Sequence, residues 1–154
     1  MNICSETQQK IAEKCKNVIG TKEASGDLEQ IMDVIRHSPE RFTVMCGDDA
    51  LAVPAILMGA KGIISVLSNY APKMFSDCIR FAEERNINEA LRLHYELFDF
   101  MQVNFIESNP VPVKAIMKEL NLIPNNLVRQ PLLPIKEVNL NFIRNLLENR
   151  KLEF

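Results

Sequence analysis

The sequence predicts an α/β protein with about three parallel strands, followed by a helical C-terminal region. Short apolar runs alternate with helical patterns in the first half, and no further strand pattern follows residue 70. The runs lie at 17–22, 42–46 and 62–67, and the helical patterns at 5–16, 27–37 and 50–57. Strands separated by helices form right-handed βαβ units and hence a parallel sheet. We therefore divide the chain into a strand-and-helix segment, residues 1–70, and a helical region, residues 71–154.

Each helix of the first segment has an identifiable start. Ser5 and Gln8 have the spacing of a capping box at the beginning of the helix at 5–16. Asp27 is the expected N-cap of the second helix. The apolar stripe of that second helix consists of Leu28, Ile31, Met32 and Ile35. Such a stripe predicts a helix that packs one face on a sheet.

The helical region contains four predicted helices. They cover residues 71–84, 88–107, about 112–120 and 137–150. One face of the second of these carries Leu91, Tyr95, Phe98, Met101 and Phe105. Apolar residues at this spacing indicate a core face or a subunit interface.

Composition limits the classes of function. The chain has 154 residues, of which 47% are hydrophobic and 25% charged, as expected for one globular domain. A net charge of -2 gives no basic excess, so a nucleic-acid partner is not expected. Residues 1–6 lack the features of a secretory signal, and the apolar run at 51–58 is too short to span a bilayer. We expect a cytoplasmic protein without a membrane partner.

The cysteines and histidines do not form a metal-binding pattern. No CxxC pair is present among Cys4, Cys15, Cys46 and Cys78, and the histidines are His37 and His94. A zinc site and a disulfide framework are therefore not expected. We interpret the four cysteines as buried small apolar residues in a reducing compartment.

The candidate site lies at the carboxyl ends of the three predicted strands. Lys22-Glu23 stands at the end of the first strand, Gly47-Asp48-Asp49 follows the second, and Ser65, Ser68 and Asn69 follow or end the third. Chemistry in α/β folds collects at this edge of the sheet. A lysine amine that loses hydration there can attack a keto acid and form an imine. Two other readings stay open: a solvated lysine, and Asp48-Asp49 as a helix cap.

Five segments resemble the dihydrodipicolinate synthase (4-hydroxy-tetrahydrodipicolinate synthase) family, in the order that the family has them. They are residues 18–27 (VIGTKEASGD), 46–50 (CGDDA), 62–69 (GIISVLSN), 109–114 (NPVPVK) and 129–132 (RQPL). The resemblance implies the C-terminal part of a (β/α)8 TIM barrel. It also implies that Lys22 forms a Schiff base with pyruvate, and that Gly47 and Ile64 line the pyruvate pocket, Ile64 through its backbone carbonyl. No cofactor is implied.

The implied reaction condenses pyruvate with aspartate semialdehyde in the diaminopimelate route to lysine. The sister neuraminate lyases and keto-deoxy-sugar aldolases share the lysine strand. Another pyruvate-dependent aldolase of the same superfamily is therefore an alternative. The segments CGDDA and NPVPVK resemble the synthases more closely.

The sequence resembles only the C-terminal half of the family. The family's proton-relay threonine and tyrosines, and its arginine for the aldehyde, belong to the other half. Tyr70 and Tyr95 lie in other motifs, and Thr21 stands where an apolar residue is usual. We expect a truncated chain that is inactive alone, with a missing N-terminal half-barrel or a second copy as partner. The alternative is a non-catalytic half-barrel that binds a partner chain.

Overall fold

The computed structural model describes residues 2–150 and residue 152, which form seven α-helices and a two-stranded parallel sheet. The helices are α1 (Ser5–Lys14), α2 (Leu28–His37), α3 (Ala52–Leu57), α4 (Pro72–Glu83), α5 (Ile87–Val103), α6 (Val111–Glu119) and α7 (Glu137–Asn149). The strands are β1 (Gly20–Glu23) and β2 (Thr43–Cys46). Two 3₁₀ turns, Asp49–Leu51 and Leu67–Asn69, follow β2 and precede α4. The α/β class and the order of helices are as predicted.

The predicted third strand is reduced to one bridge. Cys46 pairs in parallel with Ile63, and the Cys46 amide donates to the Gly62 carbonyl oxygen at 2.9 Å. The ladder stops after Ile64, because the next amides turn toward the side chain of Asp49 and the chain enters a 3₁₀ turn. The expectation of a full strand over residues 62–67 was therefore wrong, although the apolar run does lie beside β2.

The two predicted helix caps had opposite outcomes. Asp27 caps α2 as expected, since its carboxylate accepts hydrogen bonds from the Glu29 and Gln30 amides at 2.9 and 3.2 Å. The capping box at Ser5 was wrong. The N-cap of α1 is Cys4, which makes no side-chain cap hydrogen bond. Gln8 instead extends toward the end of β1, because a buried carboxylate there accepts its amide hydrogen.

Two apolar clusters form the core. The smaller one lies between the sheet and α1, α2 and α3, and contains Ala12, Ile31, Val34, Phe42, Val44, Cys46, Ala55 and Ala60. The larger one joins α3, α4, α5, α6 and α7, and its largest fully buried side chains include Tyr70, Phe75, Leu97, Phe100 and Ile116. The Tyr70 hydroxyl lies 3.1 Å from Oδ1 of Asn104, so the segment after the bridge is attached to the end of α5.

The apolar face predicted for the long helix is mostly exposed. Met101 is buried, but Leu91, Tyr95 and Phe105 are 38%, 68% and 52% exposed. The buried side of α5 is instead formed by Ala90, Leu93, His94, Leu97, Phe100, Met101 and Val103. The helix has apolar residues on more than one side, and its buried residues belong to the larger cluster together with those of α4. Phe105 also lies beyond the last helical residue, Val103.

The cysteines are all free thiols, but they do not share one environment. Cys46 and Cys78 are buried, as expected, whereas Cys4 and Cys15 are exposed near the two ends of α1. Burial raises the pKa of the Cys78 thiol to about 11. None of the helices within the described part of the chain is long and apolar enough to cross a bilayer.

Candidate active site at the strand ends

The register of the sheet brings the predicted strand ends together. Lys22 lies beside Met45 and Glu23 beside Cys46, while Cys46 pairs with Ile63 on its other side. The ends of β1, β2 and the bridge therefore form one edge. This arrangement follows from parallel pairing, which aligns the carboxyl ends of all strands.

Lys22 and Gly47 are in direct contact. A Cβ atom placed on Gly47 would lie 2.8 Å from Cε of Lys22 and 2.6 Å from Cβ of Ala24. The Gly47 amide donates to the Glu23 carbonyl oxygen at 2.7 Å, which holds the end of β2 against β1. The lysine stem thus crosses the strand end at a position where only glycine leaves enough space.

The side chain of Lys22 is exposed, contrary to the expectation of a dehydrated amine. Among the described residues, β1 pairs with β2 on one edge, and no strand covers the other edge. A cavity of about 500 Å³ lies there, lined by Lys22 together with Asn2, Ile3, Gln8, Thr21, Glu23, Ala24 and Ser25. A position at the end of a strand is therefore not enough to dehydrate the amine. Dehydration also requires neighbouring strands on both sides of β1.

Glu23 is a buried carboxylate directly after the lysine. It is 2% exposed, and it accepts hydrogen bonds from the Ser25 amide at 2.8 Å, from Nε2 of Gln30 at 3.0 Å and from Nε2 of Gln8. Burial disfavours its charge, but these donors together outweigh burial, and the pKa of Glu23 lies below its ordinary value. The ionised side chain therefore joins β1 to both α1 and α2.

Asp49 is the corresponding buried carboxylate beyond β2, and it is 1% exposed. Its Oδ2 accepts hydrogen bonds from the Val66 and Leu67 amides at 3.2 and 2.8 Å. Burial raises the pKa of Asp49, and hydrogen bonding by Ser65, Leu67 and Val66 only partly opposes this effect. Its second oxygen, Oδ1, makes no hydrogen bond to any described residue.

Asp48 is the cap that the sequence favoured for the Asp48-Asp49 pair. Its carboxylate accepts a hydrogen bond from the Ala50 amide at 2.9 Å, at the start of the 3₁₀ turn. Asp49 does not act as a cap of that turn. The interpretation of the pair as a helix cap is therefore confirmed, with Asp48 as the capping residue.

Ile64 lies on the other side of Cys46 from Lys22. Its amide donates to the Cys46 carbonyl oxygen at 2.9 Å, and 48% of the residue is exposed. The polar residues that follow form a local turn, in which the Ser68 amide donates to Oγ of Ser65 and Nδ2 of Asn69 donates to the Val66 carbonyl oxygen. These hydrogen bonds are made within residues 65–69, so they stabilise the turn that follows the bridge.

Sequence reasoning placed Glu23 at the strand end but missed its burial and its two glutamine donors. One signal was present. Side chains alternate between the two faces of a strand, so Lys22 and Glu23 had to face opposite sides of β1. Gln8 and Gln30 come from two different helices, and no local pattern reveals their meeting. Among residues 2–150 and 152, no group of three or more His, Cys, Asp or Glu side chains is arranged to hold a metal ion.

The model of the dihydrodipicolinate synthetase family matches residues 1–150. The chain belongs to this family. A 4-hydroxy-tetrahydrodipicolinate synthase of Koribacter versatilis is 44% identical over 138 residues, which are 90% of this chain and 45% of that protein. The synthase of Phocaeicola vulgatus is 36% identical over 99% of this chain and 51% of its own length. The chain thus spans about half the length of these relatives, and the resemblance inferred from its motifs is confirmed.

Solved structures of family members have the same fold over the matched part. Dihydrodipicolinate synthase of Aquifex aeolicus has a TM-score of 0.90 and 35% identity, and the match covers 99% of this chain and 53% of that one. The chloride-inhibited enzyme of Acinetobacter baumannii, complexed with pyruvate, has a TM-score of 0.89 and 32% identity over 96% of this chain and 50% of its own. The family fold therefore extends through both the sheet and the helices α4 to α7.

Proposed function

We propose that this chain is the lysine-bearing half of a Schiff-base lyase that condenses pyruvate with aspartate semialdehyde. In this proposal β1, β2 and the bridge are consecutive strands of a (β/α)8 barrel, and Lys22 is the amine that reacts with pyruvate. Gly47 and the Ile64 carbonyl form part of the pyruvate pocket. Membership of the synthase family and the complex of the Acinetobacter baumannii relative with pyruvate support this assignment.

The contact between Lys22 and Gly47 is the observation that carries the proposal. Because Gly47 has no side chain, the lysine stem lies across the end of β2. A small keto acid joined to this amine would lie over the strand ends, where backbone groups of Gly47 and Ile64 are within the same edge. A larger residue at position 47 would remove that space.

The chemistry follows from the amine. The nitrogen of neutral Lys22 attacks the keto carbon of pyruvate, and loss of water leaves an iminium. This iminium withdraws electrons, so the methyl group can give up a proton and form an enamine, which attacks the carbonyl carbon of an aldehyde. Hydrolysis then returns the free amine and the product.

We propose that residues 1–154 by themselves have negligible turnover. A closed barrel of this type has eight strands, whereas the described residues supply two and a bridge. The open edge leaves Lys22 exposed, and general acid and base groups, worth about 10²–10⁴-fold in rate, must come from elsewhere. A second polypeptide that supplies the other strands, or a second copy of the chain, would complete the site in the cytoplasm.

Borohydride trapping tests the imine directly. The protein is incubated with pyruvate, reduced and weighed, and we expect one reduced pyruvate adduct on Lys22 after peptide mapping. Lys22→Arg keeps the charge but should form no adduct. Lys61→Arg is the matched control, because Lys61 lies where the third segment enters the sheet, and this variant should be trapped like the parent. An adduct that persists in Lys22→Arg would refute the assignment.

A different acceptor aldehyde is the nearest alternative, since sister aldolases share the lysine strand. Borohydride trapping with pyruvate does not distinguish the possible acceptor aldehydes, but a turnover assay does. The chain would be combined with its complementary half, and aspartate semialdehyde compared with sugar aldehydes as acceptors. Preference for a sugar aldehyde would indicate that the chain functions as one of the sister aldolases.

A non-catalytic role is the second candidate, favoured by the exposed apolar side chains of α5. Tyr95 is 68% exposed and Leu91 38%, and both lie on one side of this helix. Such a stripe is typical of a protein interface. A chain that self-associates or captures the complementary half, yet gives no adduct with pyruvate, would have this role.

A further inference from the structure

Asp49 connects two segments of the candidate site. It follows β2, and its carboxylate accepts hydrogen bonds from two successive amides of the segment that follows the bridge, those of Val66 and Leu67. The carboxylate is almost completely removed from solvent. Hydrogen bonds from backbone amides to a buried charged acceptor are stronger than those between neutral groups.

The same short segment is attached to β2 at its other end. The Ile64 amide donates to the Cys46 carbonyl oxygen at 2.9 Å, two residues before the first amide that Asp49 holds. The peptide that carries the Ile64 carbonyl lies between these two attachments. Its orientation therefore depends on both Cys46 and Asp49.

We propose that Asp49 is a positioning residue of the pyruvate pocket, which holds the backbone of residues 64–67 so that the Ile64 carbonyl faces the substrate; this inference rests on the proposed function. Asp49 does not touch the reacting atoms in this proposal. It acts through the amides of Val66 and Leu67 and thereby on the peptide two residues earlier.

The unfavourable environment of the Asp49 carboxylate supports a role other than stabilising the fold. One of its oxygens makes no hydrogen bond to a described residue, and burial raises its pKa. Glu23, one strand away, has three donors and a lowered pKa. A carboxylate that is costly to bury adds little net stability, yet its charge still orders the two amides.

Asp49→Asn tests the proposal, with Asp48→Asn as the matched control. Both variants make the same chemical change at adjacent positions, but Asp48 caps the Ala50 amide and makes no hydrogen bond to residues 64–67. We expect Asp49→Asn to raise the pyruvate concentration for half-maximal trapping by about tenfold, with little change in the yield at saturation. It should also accelerate amide hydrogen exchange at Val66 and Leu67. Asp48→Asn should do neither.

Two results would overturn the inference. The first is faster exchange at Val66 and Leu67 with a half-maximal concentration equal to that of Asp48→Asn, since Asp49 would then be a structural anchor alone. The second is unchanged exchange. If the parent protein forms no adduct, the proposed function is refuted, but the positioning role of Asp49 can still be tested. In that case the backbone resonances of Ile64 and Ser65 must shift more in Asp49→Asn than in Asp48→Asn, and equal shifts would refute the role.

A measurement on the parent protein covers the case in which Asp49→Asn does not fold. If Asp49 orients the segment, the amide resonances of Ile64, Ser65, Val66 and Leu67 should shift together with one pH midpoint as Asp49 is protonated. Shifts confined to Val66 and Leu67 would contradict the proposal.

Discussion

The ends of β1 and β2 each carry one buried carboxylate, but the two side chains are stabilised to very different degrees. Glu23 accepts hydrogen bonds from one amide and two glutamines, while Asp49 accepts from two amides and leaves one oxygen without a partner among the described residues. The pKa of Glu23 is lowered and that of Asp49 is raised. Hydrogen bonding therefore outweighs burial at Glu23, whereas burial outweighs hydrogen bonding at Asp49.

The two carboxylates also connect different parts of the fold. Glu23 joins β1 to α1 and α2, so it stabilises the layer of helices beneath the lysine strand. Asp49 joins the turn after β2 to the segment that leads into α4. We infer that the first is mainly a stabilising contact of the fold and the second mainly an ordering contact of the site.

Gly47→Ala should have the largest effect, because Gly47 lies where the two strand ends meet. The new methyl group would overlap both Cε of Lys22 and Cβ of Ala24. We expect about a hundredfold loss in the rate of pyruvate trapping from a displaced lysine, and a loss of about 1–3 kcal/mol in the free energy of unfolding. Trapping kinetics and urea denaturation would measure the two effects.

The double variant Ala24→Gly/Gly47→Ala is the control for this experiment. It removes the overlap with Ala24 but keeps that with Lys22. Stability should be partly recovered while trapping stays slow. Recovery of trapping would mean that the displaced residue is Ala24 and that the lysine contact is unimportant.

Glu23→Gln should destabilise the protein more than Asp49→Asn does at pH 7. The new amide would direct its own hydrogens at a site occupied by three donors, at a cost of about 2–3 kcal/mol, compared with about 1 kcal/mol at Asp49. Urea denaturation of both variants would measure the difference. Equal losses would contradict a difference in stabilisation between the two carboxylates.

Gln30→Ala removes one donor from Glu23 and should cost about 1 kcal/mol. Gln9→Ala is the matched control, because Gln9 donates at 3.2 Å to Asp33 on the surface of α2 and its loss should have almost no effect. Thermal unfolding monitored by circular dichroism would compare the two. A loss in Gln9→Ala as large as that in Gln30→Ala would contradict the importance of the buried network.

The pH dependence of stability should have opposite signs for the two sites, and this is the smallest expected effect. The lowered pKa of Glu23 makes its contribution complete above the ordinary value of 4.5, and the contribution is lost as pH falls through the folded-state pKa. The raised pKa of Asp49 makes its contribution greatest in acid, and this is lost as pH rises above the ordinary value of 3.8.

Urea denaturation between about pH 2.5 and 7 would measure both signs, because the Glu23 effect lies below 4.5 and the Asp49 effect above 3.8. The deficit of Glu23→Gln relative to the parent should grow as pH rises, whereas the deficit of Asp49→Asn should shrink. If the stability deficits of the two variants changed in the same direction with pH, the difference between the two strand ends would be refuted.

The local pattern of the sequence was enough to predict several features of the fold. The α2 helix, its Asp27 cap and the runs that became β1 and β2 depend on periodicity and on side chains close in sequence. The position of Lys22 beside the end of β2 follows from parallel pairing alone. The apolar run at 62–67 does not form a full strand, because the Asp49 side chain, 17 residues before Val66, accepts hydrogen bonds from its amides. The stripe of α5 is mostly exposed, because other residues of the helix form its buried side.

The sequence by itself determined the α/β class, the family and the lysine at the strand end, because these depend on order and on short motifs. The tertiary structure decided that Glu23 meets two glutamines, that Asp49 holds the segment after the bridge, and that Gly47 leaves room for the lysine stem. Those contacts join residues from different elements, and their geometry arises only when the elements pack. Packing also decides hydration: Lys22 is exposed because no described strand covers the open edge of β1.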